Sequence, residues 1–199
     1  MSENVFNQMA NHYDTPDRLA LAEIIRAEIR QNFPKETSQK VFIDYGGGTG
    51  LVSLPLANLF KETWIMDASE AMLTVTNQKI NHSHLRDVHT QLADLTNDLP
   101  NQKADLLLVS LVLLHIPDTK LILKKLADLL NPGGQLFIVD FNKNEAVNHP
   151  KVHNGFKHEE LKQSLAEAGL TPIKLETFHE GKNLFMKQSA SLFLAISQK

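Results

Sequence analysis

The sequence predicts an α/β protein built on a doubly wound, mostly parallel sheet. Three observations carry this. Short runs of strand formers alternate with helical patterns along most of the 199 residues. Two of the runs, residues 105–109 and 135–141, are almost continuously apolar, as in strands buried on both faces. Directly after the first strand lies a glycine cluster, Gly46-Gly47-Gly48-Thr49-Gly50, of the kind that brings backbone close to a ligand.

Each element has a local reason. Thr15 suits a helix N-cap and Pro16 the first helical position, and Leu19, Ala22, Ile25 and Ile29 recur at helical spacing, so a helix is expected over residues 15–31. Phe6, Met9 and Tyr13 mark a shorter helix before it. Val41-Phe42-Ile43 is the first strand, and residues 51–60 after the glycines read as a helix. Residues 63–66 form the next strand, and Ser69 caps a helix to residue 80. Residues 88–92 give a weaker strand signal and residues 105–109 a strong one. Asp118 caps a helix to residue 130, which Asn131-Pro132-Gly133-Gly134 ends. Residues 135–141 are a strand, and residues 156–168 a helix stopped by Gly169. Two strands close the chain, residues 172–178 and 191–197, with a loop at Gly181, Lys182 and Asn183 between them. No helix separates these two, so they are expected to pair as an antiparallel hairpin.

No repeat, low-complexity tract or linker stands out. The chain reads as one domain over 1–199, with an N-terminal helical segment at 1–35 and the sheet core at 40–199. Hydrophobic residues are 42% and charged residues 22%, the balance of a soluble globular protein. There is no cysteine, which excludes disulfide scaffolds, thiolate metal sites and cysteine nucleophiles. The net charge of -3 argues against nucleic acid as a partner, because such affinity rests on Lys and Arg. No signal-peptide pattern or membrane-length apolar run is visible, so a cytoplasmic protein without a membrane partner is expected. Oligomeric state is not legible.

The glycine turn gains weight from two acids. Asp67 ends the second strand about 20 residues on, where a carboxylate takes ribose hydroxyls, and Asp94 follows the third. An adenosine-containing ligand across the strand ends is expected. The nicotinamide fingerprint wants a third glycine or alanine. Counted from Gly46 that place holds Leu51, and from Gly48 it holds Ser53. Asp44, two residues before the first glycine, suits a cationic amine that a pyrophosphate lacks.

The run Asp44-x-Gly46-x-Gly48-x-Gly50 resembles the first motif of class I S-adenosylmethionine-dependent methyltransferases. The resemblance continues through Asp67-Ala68-Ser69-Glu70-Ala71-Met72-Leu73, Ala93-Asp94-Leu95, Ser110 to Asp118 and Leu130-Asn131-Pro132-Gly133-Gly134. Phe6, Tyr13 and Asp14 are similar to that family's lead-in, with Asn7 in place of an acid. The resemblance covers roughly residues 6–197. It implies a Rossmann-like seven-stranded sheet of order 3-2-1-4-5-7-6 with the last strand antiparallel. In the N-terminal helical segment, Phe6, Met9 and Tyr13 suit either a helical lid over the site or a helix packed on the sheet. It also implies S-adenosylmethionine as cofactor and a small-molecule acceptor methylated by direct in-line displacement. Asp44 would hold the methionine amine, and Gly46, Gly48 and Gly50 would line methionine and ribose. Asp67 would take the ribose hydroxyls. Met66 or Ala68 would pack on adenine, with Met72 and Tyr13 also at the cofactor. Asp94 and Leu95 would meet the adenine edge, and Ser110 the sulfonium end.

Candidates for proton transfer are Asp140, His153 and His115. His149 and His153 are four apart, but Pro150 lies between them and no metal site is expected. Residues 110–113 lack the Pro-Pro-aromatic motif of amine-methylating DNA enzymes, and cytosine carbon methylation needs a cysteine. Two other readings stay open: an NAD(P)-dependent oxidoreductase, and a protein that binds S-adenosylmethionine without catalysis.

Overall fold

The computed structural model describes residues 3–97, 99–147 and 152–199. The chain opens with α1 (Glu3–Met9), a 3-10 turn (Ala10–His12) and α2 (Pro16–Gln31). Then come β1 (Val41–Tyr45), β2 (Glu62–Asp67), α3 (Glu70–His82), β3 (Val88–Leu92) and β4 (Ala104–Ser110). The second half holds α4 (Thr119–Leu129), β5 (Leu130–Phe141), α5 (His158–Glu167), β6 (Thr171–Phe185) and β7 (Gln188–Gln198). All seven strands form one sheet in the order β3-β2-β1-β4-β5-β7-β6. Strands β1 to β5 are parallel to one another, and β7 runs antiparallel to both β5 and β6. The order reverses between β1 and β4, and at such a switch point the loops diverge and leave a crevice.

The expected caps are in place. The Thr15, Ser69 and Asp118 side chains accept from the amides of Arg18, Met72 and Leu121, at 3.4, 3.2 and 3.0 Å. Phe42, Phe137, Ile43, Leu107 and Leu108 are fully buried in the central strands, which accounts for their apolar runs. On one face Phe60 stacks on Phe42 at 4.6 Å, and Phe33 packs edge-on against both and against Phe137. Among the described residues no helix is long and apolar enough to cross a membrane.

Four elements depart from the sequence expectation. Residues 51–60 are a turn followed by a 3-10 helix, Leu54–Leu59, because Pro55 has no N–H to give an α-helical ladder. Helix α5 begins at His158, two residues later than expected. Asn131-Pro132-Gly133-Gly134 lies inside β5: Leu130 already pairs with Ala104, and the register shifts before Leu106 meets Gln135. These turn residues mark a bulge. The same holds for Gly181, Lys182 and Asn183, which lie within β6 at a register shift between Gly181 and Phe185. The hairpin turns later, at Met186 and Lys187, both at positive φ (51° and 62°).

Candidate functional site

The crevice at the switch point is a cavity of about 760 Å³. It opens at the carboxyl ends of β1, β2 and β4, and helix α1 with Tyr13 covers part of it.

The glycine turn forms one wall. Its backbone is held from several directions. The amides of Gly46 and Gly47 donate to the Met66 carbonyl at 2.7 and 3.2 Å, and that of Gly48 to the Asp67 carboxylate at 2.9 Å. The carbonyls of Gly48 and Thr49 accept from Thr76 Oγ1 at 2.7 Å and Lys79 Nζ at 2.6 Å. Gly46 has φ +74°, and a Cβ there would stand 2.3 Å from Val112 Cγ2 of the facing loop. Gly48 has φ +56°, but a Cβ there would meet nothing within 4 Å. The turn is therefore packed tight at Gly46 and open toward the cavity at Gly48.

Asp67 is the hub beside it. One carboxylate oxygen accepts from Gly48 and the other from the Ser69 amide at 2.8 Å, which ties the glycine turn to the start of α3. Burial pushes its pKa up, and the amides of Ser69 and Gly48 work against that. Ala68, Ser69 and Met72 continue the wall. Asp94 accepts from the Thr96 amide and hydroxyl at 2.9 and 2.7 Å and from Asn97 at 3.1 Å. It lines the cavity with Thr96. Asp44 lies behind the turn, 2% exposed, beside a smaller cavity of about 90 Å³ shared with Arg18 and Ser110. Burial raises its pKa to about 7; the Ser53 hydroxyl lowers it and the Asp67 charge raises it.

The opposite wall is apolar. Ser110 ends β4, Leu111, Val112, Leu114, Ile116 and Pro117 follow it, and Val152 and His153 follow β5. His115 lies among them, with the Phe6 ring edge-on at 5.5 Å, and burial lowers its pKa to about 4. His153 stacks on Phe156 at 4.7 Å, and its amide donates to the Leu114 carbonyl at 2.7 Å.

The N-terminal segment is tied down. Asn7 Oδ1 accepts from Ser69 Oγ at 2.6 Å, and Asp14 pairs with Lys79 at 2.6 Å and accepts from the Thr49 hydroxyl at 2.5 Å. Arg18 lies 4.1 Å over the Tyr13 ring and donates to the Tyr13 carbonyl. Asn7, which stands where the family lead-in has an acid, serves as an acceptor for the first turn of α3.

Ten of the expected site residues line the main cavity: Tyr13, Gly46, Gly48, Asp67, Ala68, Met72, Asp94, Ser110, His115 and His153. Four do not. Gly50 shapes the turn, and a Cβ on it would meet Leu54 at 2.6 Å. Asp44 borders only the smaller cavity. Leu95 is fully buried, and its amide donates to the Tyr45 hydroxyl at 3.1 Å. Asp140 is fully buried outside the cavity, so it cannot meet a substrate directly. Its carboxylate accepts from the amides of Phe141 at 2.8 Å and Leu114 at 3.2 Å, which braces the loop after β4 against the end of β5. Burial raises its pKa to about 7 against those amides. His149 lies outside the described residues.

Sequence reasoning missed Tyr45 and Val152. Tyr45 occupies the variable place inside the glycine motif, yet it lines the cavity and supports Leu95, and burial raises its pKa to about 12. No spacing rule marks either residue.

The family profile described as "Methyltransferase domain" matches residues 18–175. An uncharacterised methyltransferase of Schizosaccharomyces pombe is 26% identical over 185 residues, covering 72% of this chain and 65% of that protein. The chain thus spans just under two thirds of that relative's length. A SAM-dependent methyltransferase from Aquifex aeolicus superposes with a TM-score of 0.71 at 17% identity, covering 96% of this chain and 97% of that one. Magnesium protoporphyrin IX methyltransferase from Synechocystis, solved with bound SAM, gives 0.66 at 17% identity over 90% of this chain and 79% of that one. These likenesses extend the agreement in fold to nearly the whole sheet.

Proposed function

The chain belongs to the methyltransferase-domain family, and we propose that it methylates a small-molecule acceptor with S-adenosylmethionine by direct in-line displacement. The observation that carries this is the two-sided cavity at the switch point. Asp67, Asp94 and the open backbone at Gly48 converge on one side, and an apolar wall faces them. Its volume lies within the range of small-molecule and cofactor sites.

The residues fit the cofactor. Asp67 still has acceptor capacity beyond its backbone amides and would hold the ribose hydroxyls. Gly48 leaves room for a ligand against the turn. Ala68 and Met72 would pack on the adenine, and Asp94 would accept from its amine. Asp44 is a buried carboxylate with a raised pKa beside the small cavity, and an ammonium there would restore its charge. Ser110 and Tyr13 border both cavities and would stand at the sulfonium end. When bound, S-adenosylmethionine supplies an electrophilic methyl group. The protein's task is then to align the acceptor and exclude water. Phe6 and Tyr13 cover the cavity, and Asp140 acts as a positioning residue that fixes the His115 loop. The cytoplasmic setting expected from the sequence belongs to the same proposal.

The test is an acceptor screen read by release of S-adenosylhomocysteine. Release with a small-molecule acceptor is expected. Tight cofactor binding with no release across a broad panel would instead favour a protein that binds without catalysis.

A further inference from the structure

The two ends of the cavity differ in charge. Among the described lining residues both carboxylates, Asp67 and Asp94, stand on the β2 and β3 side, and no lysine or arginine lines the cavity. The end beyond β4 is walled by Phe6, Leu114, Ile116, Pro117 and Val152, with the two imidazoles of His115 and His153.

That end is a built site. Leu114 is pinned twice: its amide donates to the buried Asp140 carboxylate at 3.2 Å, and its carbonyl accepts from the His153 amide at 2.7 Å. The loop after β4, which carries His115, and the residues around His153 are thereby fixed to each other. Phe6 abuts the His115 ring, and Phe156 stacks beneath the His153 ring. Burial lowers the pKa of both histidines, that of His115 to about 4, so this end of the cavity disfavours a charged imidazole. His115 in effect gauges the site. Surroundings that disfavour charge on a protein imidazole also penalise charge on a guest.

We propose that this end is the acceptor subsite for an uncharged molecule with an apolar body and one hydroxyl or thiol, hydrogen-bonded by His153. The inference rests on the methyl-transfer reading above. The His153 ring already donates to the Gly155 backbone through one nitrogen, which leaves the other to accept from a single hydroxyl or thiol. The apolar walls take the body.

The test uses the protein saturated with S-adenosylhomocysteine and three probes of one shape: 2-naphthol, 2-naphthoate and 2-naphthylmethylammonium. Calorimetry gives affinities, and NMR follows the histidine ring signals. The neutral probe should bind at least about tenfold more tightly than either charged one, and it should shift the His115 and His153 signals. Val152→Glu should weaken it by about tenfold or more and leave S-adenosylhomocysteine affinity unchanged. If that variant fails to fold, Ile116→Glu carries the same test. His153→Ala should weaken it about two- to tenfold, the range of one neutral hydrogen bond. Equal or tighter binding of a charged probe would overturn the proposal, as would absent binding of 2-naphthol. Failure of S-adenosylhomocysteine itself to bind would bring down the methyl-transfer reading and the subsite with it.

Discussion

The two walls of the cavity are made in different ways. On the β1–β3 side, the functional groups are spaced closely along the chain and are set by local backbone rules. Asp67 receives the amide of Ser69 two residues on, Ser69 caps its own helix, and the glycines take positive φ within one turn. On the β4–β5 side, the wall is assembled from distant segments: Phe6 from α1, residues 110–117, and residues 152–153. Their join is a relay through Leu114 between Asp140 and His153. The first wall comes from a motif. The second comes from the topology that brings β4, β5 and the N-terminus to one edge.

Gly46 is where the walls touch, so it tests the comparison hardest. Gly46→Ala should cost about 3 kcal/mol of stability, from a strained positive φ and a collision with Val112. Gly48→Ala has the strain without the collision and should cost only about 1 kcal/mol. Denaturant titration of both variants checks this, and equal losses would mean that the walls are not in register as described. Within the polar wall, Asp67→Ala should weaken cofactor affinity by about 1.5–3 kcal/mol, the worth of charge-assisted hydrogen bonds. Unchanged affinity by calorimetry would remove Asp67 from the ribose.

For the apolar wall, Asp140→Asn leaves an amide N–H₂ facing a backbone N–H and should cost about 1–2 kcal/mol. It should also change the pH profile. The folded pKa of Asp140 is about 7 against an ordinary 3.8, so the folded state holds an extra proton between these values. Stability from this group is then present below about pH 4 and is lost as pH rises through about 7. The stability difference between wild type and Asp140→Asn should shrink over that window. A constant difference would contradict the buried brace. A similarly small effect belongs to the N-terminal cover. Asn7→Ala should cost about 1 kcal/mol and raise hydrogen exchange in α1 while leaving the sheet amides protected.

How far the sequence could be read obeys the same division. Asp67, Ala68, Met72 and Asp94 were legible because strand ends and helix caps fix where they point. His115 and His153 were visible as candidates, but nothing in the spacing shows that their segments are pinned to one another. Asp140 was misplaced because the end of a strand does not reveal which way the side chain turns. Here it turns inward, to amides of the loop after β4. In the fold, β5 and the terminal hairpin were recognised but cut short. Asn131-Pro132-Gly133-Gly134 and Gly181-Lys182-Asn183 have turn chemistry, and only long-range pairing shows that they are bulges within paired strands. Tyr45 carried no signal, since its role lies in a hydroxyl that supports Leu95 fifty residues away.

In the proposed function the polar wall holds S-adenosylmethionine. Calorimetric titration of the purified protein with S-adenosylmethionine and, separately, with NAD tests it most directly. One-to-one binding of S-adenosylmethionine that weakens about 10- to 100-fold in Asp67→Ala is expected, with no heat from NAD. Saturable binding of NAD with no response to S-adenosylmethionine would contradict it.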